Sequence, residues 1–213
     1  FACICVWAMC EIFAAMDIFR IYPVVAATLA YAASQPMLCG TGFEELAFYV
    51  YSLLLFIIMI FVHKRIAFKD IAVAYSMAVL ITASLTRVVA MYQADPVNGL
   101  YYVVVCLGIP WFADGGAYFA GSFFGKHKLC PDISPKKTTE GVIGGLVCSV
   151  AMMMVVNVVF EQWLFEGGVS ADYLNMALLA LIGSAISVFG DLCFSLVKRG
   201  CHIKDFGNVL PGH

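Results

Sequence analysis

Charged residues are scarce in this sequence: Asp, Glu, Lys and Arg together make up 12% of its 213 residues, whereas 63% are hydrophobic. Soluble domains average about 25% charged and about 45–50% apolar residues. A chain with so few charges would expose more apolar surface than water tolerates. This composition excludes an ordinary soluble domain, and we expect lipid to be the main solvent of the chain.

Several motifs of other protein classes are also missing. The nine cysteines form no C-x-x-C pair, and most lie in or beside apolar runs, so we interpret them as small hydrophobic residues, not as metal ligands or disulfides. No Walker-type glycine loop and no G-x-G-x-x-G motif occurs, which argues against those nucleotide-binding folds. An initial Met, a basic n-region and a cleavage site are absent, so we expect a fragment and not a signal-bearing precursor.

Long apolar runs predict membrane-spanning helices, because a bilayer core about 30 Å thick needs about 20 helical residues. Five runs reach that length, and a sixth, Tyr173–Phe194, is apolar apart from Asp191. Phe1–Met16 is shorter, and we interpret it as the remainder of a truncated span. We therefore predict an all-α, multi-pass transmembrane protein with about six complete spans. The five full-length runs are Ile21–Leu38, Phe43–Val62, Ile71–Tyr92, Leu100–Phe124 and Val142–Phe165.

Basic residues are absent from every second loop. Cys39–Gly42, Gln93–Gly99 and Glu166–Asp172 contain no Lys or Arg, and eleven of the twelve basic residues lie in the other loops. By the positive-inside rule, the basic loops are predicted to be cytoplasmic. Arg87 lies inside a span, about six residues from its outer boundary, where its side chain can snorkel. The short loops predict a single integral membrane domain over residues 1–213, with N-terminal spans over 1–99.

One carboxylate, Asp114, falls inside a predicted span. A carboxylate in mid-helix costs roughly 2.5–3.5 kcal/mol on insertion scales, so we expect it to face a cavity or a partner. Gly115 and Gly116 follow it and permit either a broken helix or a close backbone approach. A purely structural Asp114, paired with Arg87 or with backbone amides, is the alternative.

The basic loop over residues 125–140 contains four lysines together with Ser134, Thr138 and Thr139. Its two prolines exclude one continuous helix. Ammonium, hydroxyl and backbone N–H donors in such a loop can surround several phosphate oxygens. The alternative is an ordinary positive-inside loop without a ligand.

The end of the last span carries Asp191, Ser195 and Lys198, spaced i, i+4 and i+7. On a helix these residues share one face, which would leave the membrane at the predicted cytoplasmic boundary. A carboxylate, a hydroxyl and an ammonium stacked there favour a magnesium–phosphate site. Charges that merely mark the membrane interface are the alternative.

This C-terminal pattern resembles the CDP-diacylglycerol synthases, or phosphatidate cytidylyltransferases, whose signature reads S-x-x-K-R-x(4)-K-D-x-G-x-x-L-P-x-H-G-G-x-x-D-R-x-D. Segments upstream are similar as well, among them Asp114–Tyr118, Gly125–Lys128 and Ser134–Thr138, so the resemblance covers roughly Asp114 to the end. The family's G-G and D-R-x-D do not follow His213, and we expect little activity from the 213 residues alone. Nine positions match the signature: Ser195, Lys198, Arg199, Lys204, Asp205, Gly207, Leu210, Pro211 and His213.

The resemblance implies a reaction in which CTP and phosphatidic acid give CDP-diacylglycerol and pyrophosphate, with residues 100–213 as the cytidylyltransferase core. It implies Mg²⁺ held by Asp191 and the D-R-x-D carboxylate. Asp205 would bind metal or orient Lys204. The expected catalytic residues are Asp191, Lys198, Lys204 and Asp205. The expected substrate-binding residues are Ser134, Lys136, Lys137, Thr138, Ser195, Arg199, His213 and Asp114.

The expected partners are CTP, phosphatidic acid and the lipid bilayer, without nucleic acid, and a homodimer is left open. We expect a cell-membrane protein with its active site on the cytoplasmic side. One rival is a related CTP-dependent enzyme for an isoprenoid lipid, of the CDP-archaeol synthase or polyprenol kinase type. A small-solute transporter, with Asp114 and Arg87 marking a permeation path, is disfavoured because the polar residues cluster on one side.

Overall fold

The fold is helical in the computed structural model, which describes residues 1–95, 97–164, 172–201 and 203. Most of the long apolar runs form long helices, as predicted, and one of them continues through an internal proline. The all-α prediction is confirmed, and a short β-hairpin is added to it. In chain order the elements are α1 (Ala2–Ala15), a 3₁₀ turn (Ile18–Arg20), α2 (Tyr22–Met37), α3 (Glu44–Val62), α4 (Phe68–Ala94), α5 (Gly99–Phe124), β1 (Lys128–Cys130), β2 (Ser134–Thr138), α6 (Thr139–Val159), a π-helical turn (Phe160–Leu164) and α7 (Tyr173–Gly200).

Five of the described helices are long and apolar enough to cross a membrane: α3, α4, α5, α6 with part of its π-helical turn, and α7. Helix α2 has 16 residues and α1 has 14, fewer than the roughly 20 that a bilayer core requires. The multi-pass membrane architecture is therefore confirmed, whereas the count of six complete spans is not.

The described residues form two compact units, one mainly Phe1–Ala90 and the other Met91–Arg199. The assignment of one domain with a core from residue 100 stays a prediction. In the N-terminal unit, three tyrosines connect α2, α3 and α4. The ring centroids of Tyr31 and Tyr51 lie 4.2 Å apart, and those of Tyr51 and Tyr75 lie 5.7 Å apart. Stacked aromatic rings thus supply interhelical packing where lipid removes most of the hydrophobic driving force.

Helices α5 and α6 of the second unit approach each other at backbone distance. A Cβ atom at Gly116 would lie 2.4 Å from Cys148 Cβ, and one at Gly145 would lie 2.5 Å from the Ala113 carbonyl oxygen. Small residues commonly allow such close contact between membrane helices. Helix α5 is continuous through Gly115 and Gly116. Gly116 therefore allows the close approach of α6 and does not break the helix.

We expect Gly116→Ala to destabilise the protein by about 1–3 kcal/mol, the usual cost of overpacking a tight core. Gly115→Ala is a matched control, because a Cβ atom there meets nothing within 4 Å and alanine favours helix. Thermal unfolding in detergent compares the two variants. Equal stability of the two variants would show that the helices do not meet at Gly116.

Helix α7 is anchored in the same unit by its first half. Met176 and Ala180 are buried against Ile109 of α5 and Met153 of α6. A Cβ atom at Gly183 would lie 3.0 Å from Ile109 Cγ2. This packing places the first half of α7 against α5 and α6, and the second half of the helix carries the predicted polar face.

Candidate active site

A β-hairpin leads directly into α6, and Thr138 joins the two elements. Strand β1 pairs antiparallel with β2, with Lys128 opposite Thr138 and Cys130 opposite Ser134. The Thr138 hydroxyl accepts a hydrogen bond of 3.1 Å from the Gly141 amide, which satisfies one of the free N–H groups at the start of α6. The loop therefore forms two strands, in agreement with the prediction that it is not one helix.

Glu140 ties the beginning of the hairpin to its end. Its carboxylate accepts hydrogen bonds of 3.2 Å from the backbone amides of Lys126 and His127, and its Oε1 lies 2.5 Å from His127 Nδ1. The Thr139 amide also donates to the His127 carbonyl at 3.0 Å. Sequence reasoning gave Glu140 no role, although a carboxylate in a first helical turn beside a basic loop is a recognisable signal.

We expect Glu140→Ala to loosen the hairpin, because two backbone amides and the His127 ring lose their acceptor. In a variant whose only cysteine is Cys130, the alkylation rate at Cys130 should rise about tenfold, since the strand carrying it opens more often. Asp132→Ala is the control, as it removes an exposed carboxylate from the turn of the same hairpin. An unchanged alkylation rate in Glu140→Ala would show that the carboxylate does not hold the hairpin.

An ion pair connects the hairpin to the last helix. Lys137 Nζ of β2 lies 2.5 Å from Asp191 Oδ2 of α7, and the two side chains are 22% and 48% exposed. Partial burial makes such a charged hydrogen bond stronger than one in open water. Both residues were predicted to belong to the site, but their direct pairing was not.

A cavity of about 340 Å³ lies beside this ion pair. Its wall combines three predicted residues of β2, namely Lys136, Lys137 and Thr138, with Asp114 of α5. The Asp114 carboxylate is close enough to Lys137 and Asp191 to interact electrostatically with both. Of the two expected environments of Asp114, a cavity or a partner, the structure shows the cavity, whereas the functional role of Asp114 stays a prediction. The remaining wall residues are Ala117, Tyr118, Gly121, Ser122, Gly141, Val142 and Val188.

The other predicted site residues that the structure describes lie outside this wall. Helix α7 continues to Gly200, so Asp191, Ser195 and Lys198 do share one helical face, with Ser195 buried and Lys198 half-buried. Within the described part of the chain, the cavity wall includes none of Ser134, Ser195, Lys198 and Arg199. Lys204, Asp205 and His213 lie outside the described residues.

The donor set around the cavity fits a hard cation. Mg²⁺ prefers carboxylate oxygens and commonly uses one or two carboxylates together with substrate phosphates and water. Asp114 and Asp191 supply two carboxylates beside one cavity. Among the described residues no cluster of three or more His, Cys, Asp or Glu side chains occurs. A site of this kind would therefore depend on phosphate oxygens to complete the coordination.

Comparison with known proteins places these residues in a family. Residues 1–213 match the family model described as the cytidylyltransferase family. A phosphatidate cytidylyltransferase of Haemophilus influenzae is 38% identical over 122 residues, which cover 57% of this chain and 41% of the relative. A phosphatidate cytidylyltransferase of Staphylococcus haemolyticus is 42% identical over 127 residues, which cover 57% of this chain and 44% of the relative.

A phosphatidate cytidylyltransferase of Staphylococcus aureus (strain COL) is 42% identical over 120 residues, which cover 54% of this chain and 42% of the relative. The chain thus spans less than half the length of the curated relatives it matches. Since the family model extends over all 213 residues, this membrane protein belongs to the cytidylyltransferase family.

Proposed function

We propose that the chain forms the catalytic region of a phosphatidate cytidylyltransferase, which transfers CMP from CTP to phosphatidic acid and releases pyrophosphate. The observation that carries this proposal is the cavity in which Lys136, Lys137 and Asp114 meet, with Asp191 paired to Lys137 at its edge. Ammonium groups suit phosphates, and carboxylates suit the metal that accompanies a triphosphate. The similar proteins of Haemophilus influenzae and Staphylococcus haemolyticus are named phosphatidate cytidylyltransferases, which agrees with this chemistry.

The reaction requires little covalent help from the protein. An oxygen of the lipid phosphate attacks the α-phosphorus of CTP, a new P–O bond forms, and the bond to the pyrophosphate leaving group breaks. The second pKa of a phosphate monoester is about 6, so the nucleophile is already anionic at neutral pH and needs no general base. The main barrier is repulsion between two polyanions, and positioned cations reduce it.

In this proposal Lys136 and Lys137 bind phosphate oxygens at the cavity, whereas Asp191, Asp114 and the carboxylate of the family's D-R-x-D segment would hold Mg²⁺. When bound, Mg²⁺ would screen the triphosphate charge. Lys198 and Arg199, in the last turn of α7, would neutralise phosphates further along the substrate. Lys204 would act in the same way, and Asp205 would bind metal or orient Lys204. Ser134, Ser195 and His213 would donate hydrogen bonds to the substrates.

The ion pair gives Lys137 a second function, which is to neutralise Asp191 in the absence of substrate. Before substrate binds, its ammonium compensates the charge of Asp191 at 2.5 Å. An arriving phosphate carries more negative charge than one carboxylate and competes for the same ammonium. Transfer of Lys137 to the phosphate would leave Asp191 available as a metal ligand, so substrate and metal binding would reinforce each other.

The position of the cavity near the end of a membrane-spanning helix supports a lipid as the acceptor of the cytidylyl group. The hairpin follows the end of α5, a helix apolar enough to span a membrane, so the cavity beside it can be reached from the lipid. We propose that this side is cytoplasmic, where positive-inside counting puts the lysine-rich loop.

Thiol labelling of intact cells tests the orientation. Cys130 of the hairpin should resist an impermeant reagent. The structure buries Cys39, whose thiol donates to the Thr86 carbonyl, so the exposed neighbour Thr41, changed to Cys, is the better probe for the opposite face. Labelling of Cys130 but not of Thr41→Cys from outside would mean that the orientation is inverted.

An acceptor competition tests the substrate class. The test uses membranes that contain the chain joined after His213 to the family's G-G-x-x-D-R-x-D segment. In separate assays they receive CTP labelled at the α-phosphate or at the γ-phosphate, together with phosphatidic acid and with an isoprenoid lipid phosphate or alcohol. We expect label in CDP-diacylglycerol, and only weak competition by isoprenoid acceptors. Preferential labelling of the isoprenoid lipid would overturn the assignment in favour of a CDP-archaeol synthase or polyprenol kinase type.

A further inference from the structure

A second cavity, of about 240 Å³, lies among α2, α3 and α4 of the N-terminal unit. Its wall contains charges of both signs: Arg87 from α4, and Glu44 and Glu45 from the first turn of α3. Two more polar residues, Gln35 and Thr86, line it as well. No step of the proposed reaction uses any of these residues.

Hydrogen bonds fix some of the polar groups of this wall, whereas a buried hydroxyl in this described part of the chain has no hydrogen-bond partner. The Gln35 carboxamide donates to the Glu44 carbonyl at 2.9 Å, and Glu44 Oε1 accepts from the Gly40 amide at 2.5 Å. The buried Thr86 hydroxyl has no hydrogen-bond partner among the described residues. Among the described residues, Arg87 forms no ion pair with Glu44 or with Glu45.

Arg87 lies in the apolar part of α4, near enough to the membrane boundary for its guanidinium to reach the lipid headgroups. It lies seven residues before the end of α4 at Ala94, which corresponds to about 10 Å along a helix. Arginines within membrane spans almost always face a cavity or pair with an anionic group. A planar guanidinium suits a phosphate particularly well, because it can donate two parallel hydrogen bonds.

The mixture of charges selects among ligand classes. A metal cation would be repelled by Arg87, and a simple anion would be repelled by Glu44 and Glu45. A dipolar group satisfies both, with its phosphate at the arginine and its ammonium at the carboxylates. Leu46 and Tyr49, next along α3, are 56% and 63% exposed and offer an apolar path for acyl chains.

We infer that this cavity binds the phosphoethanolamine headgroup of a membrane phospholipid, with the acyl chains along α3. The inference concerns only the N-terminal unit and does not depend on the proposed cytidylyltransferase reaction. Such a lipid would supply the anion that Arg87 lacks and would hold α3 and α4 together at the boundary of the membrane.

Thermal unfolding of the detergent-purified chain tests this binding. Short-chain phosphatidylethanolamine should raise the melting temperature saturably, whereas phosphatidylglycerol and free phosphoethanolamine should raise it far less. Arg87→Gln and Glu45→Gln should each increase the half-saturating lipid concentration at least tenfold. Lys64→Gln is the control, since it removes a basic charge from the loop after α3 and should leave the response unchanged.

Each lipid probe can also overturn the inference. An equal response to phosphatidylglycerol would show that only the phosphate is recognised. An equal response to free phosphoethanolamine would show that the site takes a small zwitterion and not a lipid. If Arg87→Gln does not fold, the exposed Glu45→Gln variant decides, and an unchanged response in that variant contradicts the proposed ammonium contact.

Discussion

Asp191→Asn should lower the rate of CDP-diacylglycerol synthesis by a hundredfold or more, in the chain joined to the family's D-R-x-D segment. Asp191 is paired with Lys137 beside the cavity, and a neutral amide is a much weaker ligand than a carboxylate for a hard cation. A hundredfold loss corresponds to about 2.7 kcal/mol of transition-state stabilisation. Expression and thermal stability in detergent should stay near normal, because the side chain is 48% exposed.

Magnesium titration distinguishes a ligand from a structural carboxylate. If Asp191 only positioned Lys137, the Asp191→Asn variant would be slower but would need the same Mg²⁺ concentration as wild type. We expect the magnesium dependence of Asp191→Asn to shift to higher concentration, with little recovery of turnover. An Asn variant that keeps more than a tenth of the activity would remove Asp191 from the metal site.

Lys137→Gln should lower kcat/KM by about 10²–10³, the usual cost of removing one positioned donor to a developing charge. Lys137 is only 22% exposed and lines the cavity, so its ammonium acts where water is partly excluded. Lys136→Gln is the matched control: it removes the adjacent lysine, which is exposed on the same strand, and should cost about tenfold or less.

The double variant Lys137→Gln/Asp191→Asn tests whether the two residues act together. Since their charges pair directly, the two losses should be strongly non-additive, with a double variant little worse than the poorer single one. Fully additive losses in kcat/KM would mean that the ion pair seen between them has no part in the reaction.

Much of the fold was predictable because apolar runs of span length have few alternatives in a bilayer. The bounds of α3, α5 and the start of α7 agree with the predicted spans to within about one residue. The shared face of Asp191, Ser195 and Lys198 was equally predictable, because helical periodicity fixes it. The prediction that Asp114 faces a cavity or a partner followed from the cost of an unsolvated carboxylate alone.

The hairpin could not be predicted as strands, because β2 consists of Ser134, two lysines, a proline and a threonine, of which only threonine favours strand. The hairpin is stabilised by contacts between residues distant in sequence, above all the hydrogen bonds from the amides of residues 126 and 127 to the Glu140 carboxylate. The pairing of Lys137 with Asp191 is likewise tertiary. No spacing rule connects a loop lysine to a carboxylate on a later helix, so only the packing of α7 on α5 and α6 reveals it.

The central claim is that a cytidylyl group is transferred to a lipid phosphate at the cavity beside Lys137 and Asp191. Separate assays with CTP labelled at the α-phosphate and at the γ-phosphate test it most directly, in the chain joined to the D-R-x-D segment with phosphatidic acid as acceptor. We predict α-label in the lipid fraction, γ-label in released pyrophosphate, and at least a hundredfold less lipid label in Asp191→Asn. Lipid that carries the γ-label instead would identify a kinase, and lipid labelling equal to wild type in Asp191→Asn would place the reaction elsewhere.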